Sequence, residues 1–320
     1  MNKDNMVIDS LVSVCVITYN SSKYVLETLD SIYNQSYKKI ELVVSDDGSK
    51  DNTFSLVEEW LNDKKQRFVN VQVLRVDVNT GTAANCNRAY FAANGVWIKG
   101  IAGDDVLLPN AIERFVKYVN SVPKANWIYA KSISYLEKIS DDCILKSNMN
   151  YEKVKKILGQ SSTYQFRRMV VRNFLWYPAF FFRSDFFRNV GGFDESFGIY
   201  EDYPMWLKLL RNGEKIYFMD EYVMGYRRSG QSVVNNTKYL DNRTIRVMAF
   251  KARKKYAFDR VTWVEKTCTY MTLWHALFFT IPWINKKTRF RNFVFRLSRI
   301  MFILPCLMLQ KIVKMDEEKC

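Results

Sequence analysis

Twice in the first third of the chain, an apolar run stops on a pair of adjacent carboxylates. Ile40-Glu41-Leu42-Val43-Val44 leads into Asp46-Asp47-Gly48-Ser49, and Ile98-Lys99-Gly100-Ile101-Ala102 leads into Gly103-Asp104-Asp105. Short apolar runs bounded by turn residues read as buried strands, so both acidic pairs sit at strand ends. Helical periods fall between the strands: Val25, Leu26, Leu29, Ile32 and Tyr33 share one face, and Leu56, Val57 and Trp60 share another. Strands alternating with helices predict β-α-β units in an α/β sheet. Such a sheet holds ligands in the crevice outside the carboxyl ends of its strands. The first strand, Leu11 to Ile17, ends on Thr18-Tyr19-Asn20-Ser21-Ser22, where Ser21 or Ser22 is expected to cap the next helix.

The pattern continues with a strand over Val71 to Val76, a helix over Gly81 to Ala93 stopped by Asn94-Gly95, and a strand over Val96 to Ile101. Pro109 opens a further helix. Trp127 to Ala130, Ser132 to Tyr135, Phe180 to Arg183 and Val223 to Tyr226 read as strands, and Ser140 to Gln160 as a polar loop with a short helix. A helix opens at Glu201-Asp202-Tyr203-Pro204 and ends at Gly213. From about Asn235 the pattern turns helical and basic. The expected organisation is therefore an α/β body over residues 1–234 and a helical, basic and aromatic extension over 235–320.

The net charge of +15 is concentrated in that extension, where 18 Lys or Arg stand against 6 Asp or Glu. No zinc-finger spacing, homeodomain-like helix or RNA-recognition signature accompanies it, which argues against a nucleic-acid partner. Two stretches, Arg260 to Ile284 and Arg289 to Lys314, mix Trp263, Trp274, Trp283, Phe290, Phe293 and Phe295 with basic residues. That mixture suits the surface of an anionic leaflet, and equally a helical subdomain packed on the body. The apolar runs Met271 to Ile284 and Ile300 to Leu309 fall short of the roughly 20 residues a spanning helix needs. Six cysteines without C-x-x-C spacing suggest a reducing compartment. The polar start Met1-Asn2-Lys3-Asp4-Asn5 does not read as a secretory leader. The expectation is a cytoplasmic protein, peripheral on the inner face of the membrane.

Four motifs in order, Val16-Ile17-Thr18-Tyr19-Asn20, Asp46-Asp47-Gly48-Ser49, Gly103-Asp104-Asp105 and Gly191-Gly192-Phe193-Asp194-Glu195 followed by Glu201-Asp202, make the chain resemble the inverting glycosyltransferases of family 2. The resemblance covers roughly residues 11 to 232. It implies a GT-A, Rossmann-like mixed sheet and transfer of a sugar from a nucleoside diphosphate sugar. It further implies, as the family habit, a UDP-linked donor and a lipid-linked acceptor in bacterial surface polysaccharide synthesis.

Residue chemistry runs in the same direction. A departing diphosphate needs its developing charge neutralised, which a divalent cation does as a Lewis acid. Mg²⁺ or Mn²⁺ takes oxygen ligands and fills its shell with phosphate and water, so Asp104 is the expected ligand and Asp105 a second one. A cap on the helix near Pro109 is the competing role for this pair. Asp47 can accept from the imide N–H of a uracil or thymine ring, with Tyr19 offering a flat face beside it. The resemblance adds Thr18, Asn20 and Asp46 to the donor loops. The helix start after Gly81 would favour anions and makes Asn87 and Arg88 candidates for the diphosphate. Asp202 is the expected base, Glu201 an acceptor contact, and Trp206, one turn on, a platform for sugar stacking.

Three positions depart from the family pattern. Ala102 stands where the first Asp of Asp-x-Asp-Asp is usual, Cys86 where Arg is usual, and Ser229 where Tyr-Arg-x-His has its histidine. They motivate an alternative reading, a catalytically degenerate nucleotide-binding scaffold.

Overall fold

The computed structural model describes residues 10–136, 144–145, 149–175, 179–198, 200–228, 243–279, 281, 288 and 290–298. The expected boundary at Asn235, the Ser229 position, Trp283, the Ile300 to Leu309 run and the first five residues lie outside the described residues.

The first half alternates β1 (Val12–Thr18), α1 (Val25–Tyr33), β2 (Ile40–Asp46), α2 (Thr53–Lys64), β3 (Asn70–Arg75), α3 (Thr82–Ala92) and β4 (Trp97–Ala102). β1 pairs in parallel with both β2 and β4, and β3 pairs in parallel with β2. Every residue of β2 is buried, as a parallel strand covered on both faces requires. The direction of winding reverses at β1. In register, Thr18 lies opposite Asp46 and Ile17 opposite Ala102, so three strand ends finish nearly flush at one edge.

The second half adds β5 (Val106–Leu107), α4 (Ala111–Ser121), β6 (Trp127–Tyr135), β7 (Ile144–Leu145), α5 (Tyr151–Leu158), α6 (Ser162–Val171), β8 (Phe180–Arg183), α7 (Ser184–Asn189), α8 (Asp202–Arg211) and β9 (Ile216–Arg227). The described strands form one mixed sheet in the order β3-β2-β1-β4-β8-β6-β9-β5, with β7 on β6. The two short strands expected around residue 131 are one strand, β6, with an irregularity between Tyr129 and Ser132. β9 runs parallel to β6 and is far longer than the four residues its sequence suggested. It carries Arg227 back to the edge where β4 ends. Stacked aromatics fill the centre: Trp127 on Phe182 at 4.4 Å, Phe115 on Phe181 at 4.6 Å and Trp206 on Phe180 at 3.9 Å between ring centroids.

The serines expected to cap α1 do not do so. Its N-cap is Tyr24, without a side-chain cap bond. Ser21 and Ser22 instead give their backbone N–H groups to Thr53 Oγ1 and Asp51 Oδ2, at 2.7 and 3.1 Å, which fastens the first loop to the start of α2.

Beyond the body come α9 (Arg243–Tyr256), α10 (Trp263–Phe279) and a helical stretch over residues 290–298. Ala249 and Ala252 of α9 and Ala257 just beyond it belong to the same core as the sheet. Arg253 Nε donates to Val170 O at 2.7 Å and to the Tyr203 hydroxyl at 2.9 Å. The composition therefore changes near residue 235 while the packing runs on into α9.

Glu41 ties the sheet edge opposite the crevice. It is fully buried and accepts hydrogen bonds from Ser13 Oγ, Asn70 Nδ2 (2.8 Å), Gln72 Nε2 (3.0 Å), Asn94 N (2.7 Å) and Asn94 Nδ2 (2.8 Å). Burial alone would raise its pKa, but the donors from Ser13, Asn94 and Asn70 outweigh it and hold the group at about 2. A folded pKa below the unfolded one stabilises above the unfolded pKa, and that stability is lost as pH falls toward the folded value. Glu41→Gln, which mispairs buried donors, should lower stability by ~1–3 kcal/mol in urea unfolding at neutral pH. The deficit should shrink below about pH 4, where the native carboxylate begins to lose its own advantage.

Candidate active site

The flush ends of β1, β2 and β4 bring three loops together, and small residues let them touch. A Cβ on Gly103 would stand 2.8 Å from Thr18 Cγ2 and 3.2 Å from Ser21 Cβ, so only glycine permits this approach of the acidic loop to the first loop. Gly103 N donates to Ile17 O at 2.9 Å and Asp47 N to Thr18 O at 3.0 Å.

Most polar side chains expected to face the donor are instead used to seal these loops. Thr18 Oγ1 donates to Asp46 Oδ1 at 2.9 Å, and Asp46 also accepts from Ser49 N at 3.0 Å and Ser49 Oγ at 2.5 Å. Asn20, held at φ 50°, accepts from Lys50 N through Oδ1 at 2.8 Å and gives its own N–H to Ser49 Oγ at 2.9 Å. Thr18 and Asp46 are buried braces, and Asn20 is a clamp between the first two loops. Tyr19 stands open, with 47% of its surface exposed, and Asn20 beside it is exposed as well.

Asp47 sits at the helix start that was expected to receive phosphate. Thr80 N (3.0 Å), Gly81 N (2.8 Å), Thr80 Oγ1 (2.6 Å) and Arg88 Nη2 (3.2 Å) all donate to its carboxylate. A carboxylate has about four acceptor sites, so in this conformation none is left over for a base. The anion at the N-terminus of α3 is the protein's own. Arg88 also donates to Ser45 Oγ, Asn85 Oδ1 and Thr80 Oγ1, at 3.2, 3.0 and 2.7 Å. This arginine holds Asp47 in place. Thr80 is the residue that motif reading passed over, since nothing in its local sequence marks it.

Asn87 also has its amide engaged within the protein. Its Nδ2 donates to Phe193 O (3.0 Å) and Glu195 Oε1 (2.8 Å), and its Oδ1 accepts from Phe193 N (2.8 Å). The amide pins the Gly191-Gly192-Phe193 turn against α3. A Cβ on Gly192, at φ +63°, would lie 2.6 Å from that same Oδ1. Lys208 Nζ donates to Gly192 O at 2.9 Å, and Lys255 Nζ and the Tyr256 hydroxyl each donate to Asp194 at 2.6 Å, so the turn is held from α8 and α9 as well.

At the end of β4 the two carboxylates differ. Asp105 is buried, with Oδ1 accepting from Arg227 N at 2.8 Å. Asp104 is partly exposed, and its backbone oxygen accepts from Arg227 Nε at 2.8 Å. Burial pushes both carboxyls up in pKa; the charge of Asp104 pushes Asp105 further, while Arg227 pulls both back. Arg227 itself has no side-chain exposure, pairs with Glu27, and lies over Tyr24 at 4.0 Å and Tyr135 at 4.7 Å. Lys99, fully buried one strand-length below, donates to Gly100 O at 2.6 Å, and burial drives its pKa down to about 7.

Among the described residues no cluster of three His, Cys, Asp or Glu side chains could hold a metal. A closed protein cage is thus ruled out there. The donor set fits a cation bound through Asp104, the more exposed carboxylate of the adjacent pair, with phosphate and water as its other ligands. Asp105 is buried beside it, its Oδ1 engaged by Arg227 N.

Glu201 and Asp202 form the second acidic locus, at the N-terminus of α8. Oε2 of Glu201 is buried with no hydrogen-bond partner among the described residues. Burial, aided by the charge of Asp202, pushes Glu201 up to about 8. Burial also raises Asp202, to about 6, against hydrogen bonds from Tyr203 N (2.6 Å) and the Asn173 side chain. The buried Cys86 thiol feels both Glu201 and Asp47, and burial pushes its pKa up. This thiol links the two acidic regions across α3. Trp206 is not a sugar platform: it is fully buried and stacked on Phe180, because one turn into α8 the helix faces the core.

A model of the glycosyl transferase family 2 domain matches residues 13–189. The chain is 23% identical over 276 residues to an uncharacterized glycosyltransferase of Methanocaldococcus jannaschii, covering 85% of this chain and 86% of that one. The solved structure of S. aureus TarS 1–349 in complex with UDP-GlcNAc superposes with a TM-score of 0.60 at 19% identity, over 84% of this chain and 73% of that fragment. The chain spans 44% of the longer TarS chain. GalNAc-T7 with UDP, GalNAc and Mn²⁺ gives a TM-score of 0.60 at 14% identity, over 85% of this chain and 51% of that one.

Asn87→Ala separates a bracing role from a phosphate role. Bracing predicts a loss of ~1–3 kcal/mol in unfolding, from stranded buried partners, with UDP affinity unchanged within about twofold; a phosphate contact would reverse that pattern.

Proposed function

The chain belongs to glycosyltransferase family 2, and we propose that it moves a sugar from a UDP-sugar to a glycan acceptor with inversion at the anomeric carbon. The observation that carries this reading is the pair of adjacent carboxyls at the start of α8, Asp202 beside Glu201, whose Oε2 is buried and served by no described group; burial raises both. In this reading the raised pair shares one proton near neutral pH, an arrangement that gives one base and one hydrogen-bond donor.

In the proposed step the Asp202 carboxylate takes the proton of the acceptor hydroxyl. The hydroxyl oxygen bonds to the anomeric carbon from the face opposite the diphosphate. The bond from that carbon to the diphosphate oxygen breaks, and its electron pair leaves with UDP. Glu201, protonated, donates a hydrogen bond to the acceptor sugar. Tyr19 supplies a face for the base. Asp47 selects uracil by giving up one of its Thr80 partners for the imide N–H, which couples donor binding to movement of residues 79–81. A bound Mg²⁺ or Mn²⁺, held by Asp104, would neutralise charge on the leaving diphosphate. Mn²⁺ in the GalNAc-T7 complex and UDP-GlcNAc in the TarS complex support both parts of this reading by fold likeness. The acceptor belongs, in this reading, to a lipid-linked surface polysaccharide handled at the inner face of the membrane.

Two measurements test the reading. Calorimetric titration with UDP and GDP, with and without Mn²⁺, should find UDP binding strengthened by the metal and weakened in Asp104→Ala. Absence of binding to either nucleotide would sink the donor site, and nucleotide binding without any turnover would favour the scaffold. Transfer should follow a bell in kcat/KM, rising as the Glu201-Asp202 pair loses its first proton and falling as it loses its second, both limbs displaced upward from the usual carboxylate range. Asp202→Asn should cost ~10²–10⁴-fold in kcat, and Glu201→Gln, which keeps a donor, should retain activity and remove the alkaline limb.

A further inference from the structure

Helix α10 has its polarity reversed. The side turned to the protein carries Glu265, Cys268, Thr269, His275, Ala276 and Phe279. The side turned to solvent carries Trp263, Tyr270, Trp274 and Phe278, at spacings of seven, four and four residues, which place all four on one stripe. Trp263 is 76% exposed and Trp274 71%. A helix lying on a soluble body is expected to show the opposite, an apolar stripe inward and a polar face outward.

The stretch 290–298 repeats the reversal. Phe290, Phe293, Val294 and Leu297 follow the i, i+3, i+4, i+7 rule of an apolar helix face, and all four are exposed, Phe290 by 74% and Phe293 by 63%. The two helical segments are joined on their other sides. His275 Nε2 lies 2.9 Å from Ser298 Oγ, and Phe295 packs on His275 and Phe279 with ring centroids 5.4 and 5.0 Å apart. Tyr270, at the edge of the outward stripe, leans on Phe250 of α9 and on Phe258 just beyond it, at 5.1 and 5.7 Å, while Trp263, Trp274 and Phe278 are more than half exposed. The pair is fixed to the body from within, and its aromatic stripes point away.

We propose that these outward stripes are a docking face for an anionic phospholipid surface. The inference deepens the reading that the acceptor is lipid-linked, by naming the side chains that meet the membrane. Charge selects the occupant. Residues 235–320 hold 18 Lys or Arg against 6 Asp or Glu, and Lys266, Arg291 and Arg296 lie on the two segments themselves. A second copy of the chain would bring the same positive field against it, whereas anionic headgroups complement it. Trp and Phe in this mixture take the interfacial zone, where rings bury in the acyl boundary while basic side chains remain with the headgroups. No described helix is long and apolar enough to cross a membrane, so the pair lies in the plane of the surface.

The experiment is flotation of the full-length protein with vesicles of phosphatidylglycerol and phosphatidylcholine, against phosphatidylcholine alone, in low and high salt. The protein should float with the anionic vesicles, and less so in high salt. Trp263→Ser combined with Trp274→Ser, and separately Phe290→Ser combined with Phe293→Ser, should each weaken vesicle binding about tenfold or more. Because these side chains are exposed, unfolding midpoints and UDP affinity should stay at the wild-type values. Wild-type protein that ignores anionic vesicles, or variants that float as well as it does, would overturn the proposal. So would a wild-type dimer, measured by light scattering, that the substitutions turn into a monomer. UDP binding and vesicle binding are read separately, so failure of the donor site and failure of the docking face are distinguishable.

Discussion

β1 is hydrogen-bonded in parallel to β2 on one side and β4 on the other, and its register sets the height at which three loops leave the sheet. Because side chains alternate along a strand, a slip of one residue would turn each buried face outward. It would also separate Thr18 from Asp46 and draw Gly103 away from Thr18. Glu41, with its donors from β1, β3 and the turn before β4, holds that register from the opposite edge. The crevice is thus positioned by backbone pairing before any of its side chains act.

Within the crevice, hydrogen-bond supply separates well-satisfied carboxylates from poorly satisfied ones. Asp46 and Asp47 are surrounded by donors, and Asp105 has Arg227 and Lys99 beside it. Glu201 has a buried oxygen that no described group serves, and Asp202 has donors too few to cancel its burial. Leaving a polar atom in that condition costs of the order of 1–3 kcal/mol. A protein retains such a cost where the group has chemistry to perform. Both carboxyls of this adjacent pair are thereby pushed above the usual carboxylate range.

Motif spacing alone could not have sorted these roles. Asn87 and Trp206 are plausible ligands by residue type, yet the turn at Gly192 comes within reach of the Asn87 amide and α8 turns Trp206 toward Phe180. Thr80 and Glu27 carry no motif, and they matter because distant elements fold onto them. The reversed polarity of α10 was equally hidden. Its aromatic and polar residues are both helically spaced, and nothing local states which stripe faces in.

The sequence by itself determined the alternation of strands and helices, the placement of acidic pairs at strand ends and the family to which these motifs belong. Each of those follows from residue type and short-range period, which act over a few neighbours. Tertiary structure decided which carboxylates are satisfied, where Arg227 returns, and which side of each C-terminal helix meets solvent. Burial and hydrogen-bond supply are set by residues tens to hundreds of positions apart, so they exist only once the chain has closed on itself.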